Sequence, residues 1–167
     1  NINWTRARGS TIKTELYGDD LNKLLPIIYP GGSDSFALDN MVEMLTRCGR
    51  ELPHSVMMLI PEPWGEKYQM SQDKRGFLEY HSALMEPWDG PAALAFTDGR
   101  VIGSCLDRNG LRPARYVVTD DDLFVLASEV GVLEFPAEKI KTKGRVGPGQ
   151  MVLIDTKENR IIYDPEI

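Results

Sequence analysis

Cysteine, histidine and long apolar runs are scarce in this 167-residue chain, and each scarcity excludes something. Cys48 and Cys105 lie far apart with no Cys-x-x-Cys motif, and His54 and His81 add no zinc-ligand spacing to them. Buried thiols in a reducing compartment are the expectation. The longest apolar runs, such as residues 56–60, fall well short of the roughly 18–20 residues that a membrane span needs. No signal peptide opens the chain, so a soluble, cytoplasmic protein with no membrane contact is expected. Nucleotide-binding signatures are missing too: there is neither a P-loop nor Gly-x-Gly-x-x-Gly, and no Gly-x-Ser-x-Gly elbow to support a serine nucleophile. Nineteen basic residues against twenty-five acidic ones leave a net charge of −6. The basic residues are scattered along the sequence rather than gathered in a stripe, which argues against a nucleic-acid surface.

What is present suffices for one globular domain over residues 1–167, since 42% of the residues are hydrophobic. The chain starts at Asn1 without methionine and ends at Ile167, just after Pro165, so a piece of something longer is expected. Its first eighteen residues show no clear period, and Trp4 is expected to anchor an irregular entry. Asp19 and Asp20 precede Leu21, Leu24 and Leu25, predicting a short helix capped by an aspartate and stopped by Pro26.

The chain is organised around Pro30-Gly31-Gly32-Ser33-Asp34-Ser35. Two glycines after a proline make a turn that lets the backbone approach another group, and Ser33, Asp34 and Ser35 are helix-capping residue types. Leu38, Met41, Val42, Leu45 and Cys48 then recur at helical spacing, with Gly49 placed to end the helix. The turn suits either a cap or a polar ligand. On local grounds the cap is the commoner role for Asp34.

A second helix is expected from residues 51–54 to Pro61, with Val56, Met57, Leu59 and Ile60 inside, and a third over residues 71–85, with Phe77, Tyr80, Ala83 and Leu84 on one face. His81 lies beside that face, where a hydrogen-bonded core or rim histidine is commoner than a catalyst, and His54 has the same reading. At residues 87–90 the period changes from helix to strand. Strands are expected over 91–97, 101–106, 115–119, 123–127, 145–146, 151–155 and 160–163. A two-residue turn at Asp98-Gly99 and a turn at Asp120-Asp121-Asp122 join the first two hairpins, and a short helix is expected over 128–133. Helices first and antiparallel strands second point to an α+β fold. The triple aspartate lacks the spaced ligands of a calcium loop, and Asn109-Gly110 is more often a tight turn than an oxyanion hole.

Longer stretches carry a resemblance. Gly31-Gly32-Ser33-Asp34-Ser35, Leu52-Pro53-His54, Tyr80-His81-Ser82-Ala83-Leu84-Met85-Glu86-Pro87-Trp88-Asp89-Gly90-Pro91-Ala92 and Asp107-Arg108-Asn109-Gly110-Leu111-Arg112-Pro113 resemble the class II glutamine amidotransferase (glutaminase) domain of glutamate synthases. The run from Tyr80 to Ala92 argues against the purine-pathway transferase, another member of the class. A non-catalytic amidotransferase-like binding or scaffold module is the alternative. The resemblance implies an N-terminal-nucleophile-type sandwich of antiparallel sheets between helical layers, incomplete at its N-terminus. In that family the thiol of an N-terminal cysteine attacks the side-chain amide of glutamine, with its own α-amino group as base, and ammonia leaves. The ammonia then joins 2-oxoglutarate, and flavin (FMN) and iron-sulfur centres deliver the electrons that reduce the imine.

The family's motif implies that Asp34 holds the α-amino group of glutamine and that Ser33 flanks it, which reverses the local preference for a cap. Asn109-Gly110 matches a separate strand motif, with a structural role. Position 1 is Asn, neither Cys48 nor Cys105 matches the nucleophile, and the arginine for the glutamine carboxylate has no counterpart. The chain alone is therefore expected to be inactive, with no catalytic residue and no cofactor of its own. Its expected partners are glutamine, the rest of the large subunit, and a small reductase subunit or ferredoxin; in a plant the place would be the plastid stroma.

Overall fold

The computed structural model describes residues 12–167. The irregular entry around Trp4 lies outside them. Two compact units divide at Gly90 and Pro91, where the sequence period changes.

The first unit is helical. A 3-10 turn, Gly18–Asp20, runs into α1, Leu21–Leu24. Asp20 holds the N-cap position of α1 but makes no capping hydrogen bond; its Oδ1 instead accepts from Lys23 Nζ at 2.6 Å. The expected aspartate cap is thus replaced by an exposed ion pair, because Asp20 itself has helical backbone angles and cannot fold its side chain back onto the first amides. Helix α2, Asp34–Arg47, begins at Ser33, an extended residue whose Oγ accepts from Phe36 N at 3.1 Å. It ends before Gly49, whose φ of +88° a side chain would disfavour. Its buried stripe is Ala37, Leu38, Met41, Met44 and Leu45. Val42 and Cys48, expected inside, are only half-buried. The stripe is rotated from the expected one because Ala37 and Met44 lie nearer its centre.

Helix α3, Leu52–Leu59, takes a proline in its first turn, where the missing N–H costs nothing. Leu52, Ser55, Val56, Met58 and Leu59 are buried. Helix α4, Gln72–Leu84, is capped by Ser71 Oγ, which accepts from Lys74 N at 3.2 Å. Helix α3 packs on both α2 and α4. The buried side chains of α4 are Leu78 and His81. Tyr80 and Leu84 are 64% and 51% exposed, so the apolar face expected from spacing is not the one that packs. The partner surface on α3 accepts His81 through a hydrogen bond to His54, and this outweighs apolar count.

The second unit is made of strands: β1 Ala93–Thr97, β2 Val101–Leu106, β3 Arg115–Thr119, β4 Phe124–Ala127, β5 Ile140–Arg145, β6 Met151–Asp155 and β7 Arg160–Tyr163. They form two antiparallel sheets, ordered β1-β2-β6-β7 and β4-β3-β5. Leu106, Val152, Ile161 and Tyr163 of the larger sheet meet Tyr116, Phe124 and Leu126 of the smaller one in a shared apolar core with Ala114 and Val146. The architecture is α+β with paired antiparallel sheets, as expected.

Three local expectations fail here. The first hairpin connection is residues 98–100, one longer than a two-residue turn, with Gly99 at φ +89°. Asp98 Oδ1 closes it by accepting from Arg100 N at 2.9 Å and Val101 N at 2.7 Å. Residues 128–133 form turns and bends rather than a helix, and Gly131 at φ +84° breaks the helical path. Strand β5 starts five residues before the expected position; its lysines and threonine conceal it from hydrophobic patterning.

Candidate substrate-binding turn and its surroundings

The Gly-Gly-Ser-Asp turn is built by backbone geometry. Gly31 has φ +81°, a left-handed value that glycine adopts without strain, and Gly32 N donates to Tyr29 O at 3.2 Å. A Cβ on Gly32 would meet the Phe36 ring at 2.8 Å, so both glycines are required where they stand. Phe36 in turn leans on Tyr29, with ring centroids 5.9 Å apart. The segment before the turn is fixed from α2 itself, because Asn40 Nδ2 donates to Ile27 O at 3.0 Å. Spacing alone did not single out Asn40, which follows Asp39 in a mixed polar and apolar stretch.

Ser33 and Asp34 are adjacent on this turn, and both are exposed. The capping position belongs to Ser33, whose Oγ also lies 3.2 Å from Ser35 Oγ. Asp34 is the first helical residue, so its carboxylate sits in the first turn, where the helix dipole favours negative charge. A carboxylate held there by a rigid backbone can take a cation such as an ammonium group. Beside α2 lies a separate cavity of about 450 Å³, lined by residues that include Tyr17, Leu24, Ile27, Asn40, Met44 and Arg47; neither Ser33 nor Asp34 lines it.

The two histidines come together. His54 Nε2 and His81 Nε2 are 3.0 Å apart, and Phe77 and Tyr80 stack edge-on against His81. Burial lowers both imidazole pKa values; Arg50 lowers His54 further, Glu51 opposing it, while the His54 charge and then Arg50 lower His81. His81 Nδ1 is buried with no hydrogen-bond partner among the described residues. An orphaned acceptor costs less than an orphaned N–H, so His81 carries its proton on Nε2 and donates it to His54. This is a hydrogen-bonded core histidine, the commoner reading, although the apolar face it was expected to flank is not the one that packs.

The thiols are separate. Cys105 is buried on β2, and burial, with the Asp107 charge behind it, pushes its pKa up to about 12, which leaves no thiolate for attack. Cys48 is half-buried and faces Thr14 Oγ1 at 3.8 Å. Asn109-Gly110 belongs to a tight turn organised by Asp107: its Oδ2 accepts from Asn109 N at 2.9 Å, its Oδ1 from Ala92 N at 2.9 Å, and its carbonyl from Gly110 N and Gly149 N. Asp121 accepts from Thr119 Oγ1, which lowers its pKa and commits it to the β3–β4 turn. Among the described residues no group of three His, Cys, Asp or Glu side chains could hold a metal ion, and no helix is long and apolar enough to cross a membrane.

Comparison with known proteins gives a consistent picture. A family model described as class-II glutamine amidotransferases matches residues 1–167. The chain is 58% identical, over all of its length, to a glutamate synthase [NADPH] large chain from Bacillus subtilis, of which it spans 11%. It is 49% identical to a glutamate synthase [NADH] from Schizosaccharomyces pombe, spanning 8% of that protein. Against a ferredoxin-dependent glutamate synthase from Pyropia yezoensis the identity is 43%, again over the whole chain and 11% of the relative.

Proposed function

Because the chain belongs to the class II glutamine amidotransferases, we propose that it forms part of the glutaminase domain of a glutamate synthase, the segment that positions glutamine for release of ammonia. Asp34 takes the α-ammonium group of glutamine, with Ser33 beside it. The observation that carries this reading is the placement of Asp34: its carboxylate is exposed in the first turn of α2, directly after the Gly31-Gly32 turn of the matched motif and next to the capping Ser33. A carboxylate–ammonium contact is charge-assisted and fixes the amide at a set distance from the attacking group.

The attack belongs to a cysteine of the parent enzyme other than Cys48 and Cys105, a reading supported by the burial and raised pKa of Cys105. The thiol adds to the side-chain amide, ammonia leaves, and water hydrolyses the resulting thioester to glutamate. In the parent, flavin and iron-sulfur centres held outside this chain would supply the electrons for reductive amination of 2-oxoglutarate by that ammonia. The electron donor is a nicotinamide-dependent reductase subunit or ferredoxin, and the setting is the cytoplasm, or the stroma in a plastid.

The test is Asp34→Ala in the intact enzyme. A lost charge-assisted contact of about 1.5–3 kcal/mol corresponds to an increase of about ten- to hundredfold in KM for glutamine. Glutamate synthesis from added ammonia should stay near wild type. Equal loss of both activities would assign Asp34 to folding alone.

A further inference from the structure

Folding sets a cation of one strand against a run of alternating cations on the next. Strand β5 places Lys143 and Arg145 two residues apart, hence on one side of the sheet, and Lys141 precedes them at the β3–β5 irregularity. In the antiparallel register Arg145 lies directly opposite Arg115 of the central strand β3, and Lys143 opposite Val117. Facing residues project from the same side. The alternate residue Tyr116 turns the other way, into the core. Arg115, Lys143 and Arg145 are all exposed, and among the described residues none has an ion-pair or hydrogen-bonding side-chain partner.

Lysines on an edge strand have an ordinary use, the discouragement of strand pairing. Arg115 guards no edge, since β3 lies between β4 and β5. Like charges set directly opposite one another destabilise a sheet, and this pair stands in a chain whose net charge is −6. We propose that this outer face of the β4-β3-β5 sheet docks against an acidic protein surface elsewhere in the same longer polypeptide. The proposal rests on the glutamate synthase reading above: the chain spans only 8% to 11% of the relatives it matches, so most of such a protein lies outside it. Nucleic acid is a poorer fit, because phosphate contacts dominate its binding and this face offers few cations.

The experiment is zero-length carbodiimide cross-linking of the intact parent, with acetylation of Lys143 followed by mass spectrometry. Lys143 should cross-link to Asp or Glu outside residues 1–167 and acetylate about tenfold more slowly than exposed Lys67, because a docked rim excludes reagent. The Arg145→Glu variant separates docking from folding. It replaces a repulsive pair by an attractive one within the sheet, so the intact parent should unfold no earlier in urea, while the protection of its Lys143 falls toward that of Lys67. Acetylation of wild-type Lys143 as fast as Lys67, cross-links only to a separate protein, or an RNA mobility shift would each overturn the proposal. Glutamate synthesis from glutamine, assayed on the same preparation, reports independently on the parent's identity.

Discussion

In the sheet unit, aspartates hold turns: Asp98, Asp107 and Asp155 each accept backbone N–H groups, and Asp155 also binds Arg100 Nη2 at 2.9 Å. These amide bonds, first that of Val101 for Asp98 and of Glu158 for Asp155, keep both carboxyl pKa values below the usual range. In the helical unit serines do the capping, at Ser33 and Ser71, and apolar stripes on α2 and α3 form much of the buried core. The contrast teaches how to weigh an aspartate. One that closes a turn is explained by its amides, whereas Asp34 stands beside a helix end that a serine already closes.

The largest effect expected from breaking this contrast is in the helical core. Leu59 is 0% exposed, so Leu59→Ala should cost about 2–5 kcal/mol in urea unfolding. In the sheet unit Asp107→Ala strips partners from two backbone amides and should cost about 2–4 kcal/mol; Asp107→Asn, which keeps an oxygen, should cost clearly less. If the two Asp107 variants lose equal stability, the charge rather than its hydrogen bonds matters there.

Acid should weaken the helical unit through the histidine pair. Both folded-state pKa values lie below the ordinary 6.5, so the unfolded chain takes up protons first. The contribution of the neutral pair is complete above about pH 6.5 and is lost as pH falls toward the lowered values. Burial sets this balance first; Arg50, just before α3, and the His54 charge facing His81 add to it, and Glu51 opposes it at His54. Urea midpoints between pH 7.5 and 5 should fall in the wild type and fall less in His54→Gln. Smaller still, Ser33→Ala should cost about 1 kcal/mol as a lost cap. Tyr80→Ala, at a 64% exposed position, should lose only its edge-on contact with His81, at most about 1 kcal/mol.

Strands β2, β3, β6 and β7 were legible to the residue because glycine, proline and aspartate turns bound short apolar runs. The polar edge strand β5 was not, since an edge needs no apolar alternation. Helices were legible in extent but not in the face they bury: α4 turns His81 inward and Tyr80 outward because a hydrogen bond to His54, 27 residues away, decides the matter. The turn at Gly31-Gly32 follows from residue type alone, whereas residue type offered Ser33, Asp34 and Ser35 as caps and favoured that role for Asp34, and the structure gives the cap to Ser33 because Ser33 is extended and Asp34 already helical. The role of Asp34 came from family resemblance, and local geometry adds that Ser33 takes the cap.

The most direct test of that role compares glutamine with glutaramate, the same amide without the α-amino group, as ammonia donors for the intact enzyme and its Asp34→Ala variant. If Asp34 holds the ammonium, the wild type prefers glutamine by about ten- to hundredfold in kcat/KM, and the variant loses most of that preference. A preference that survives the substitution unchanged would contradict the assignment.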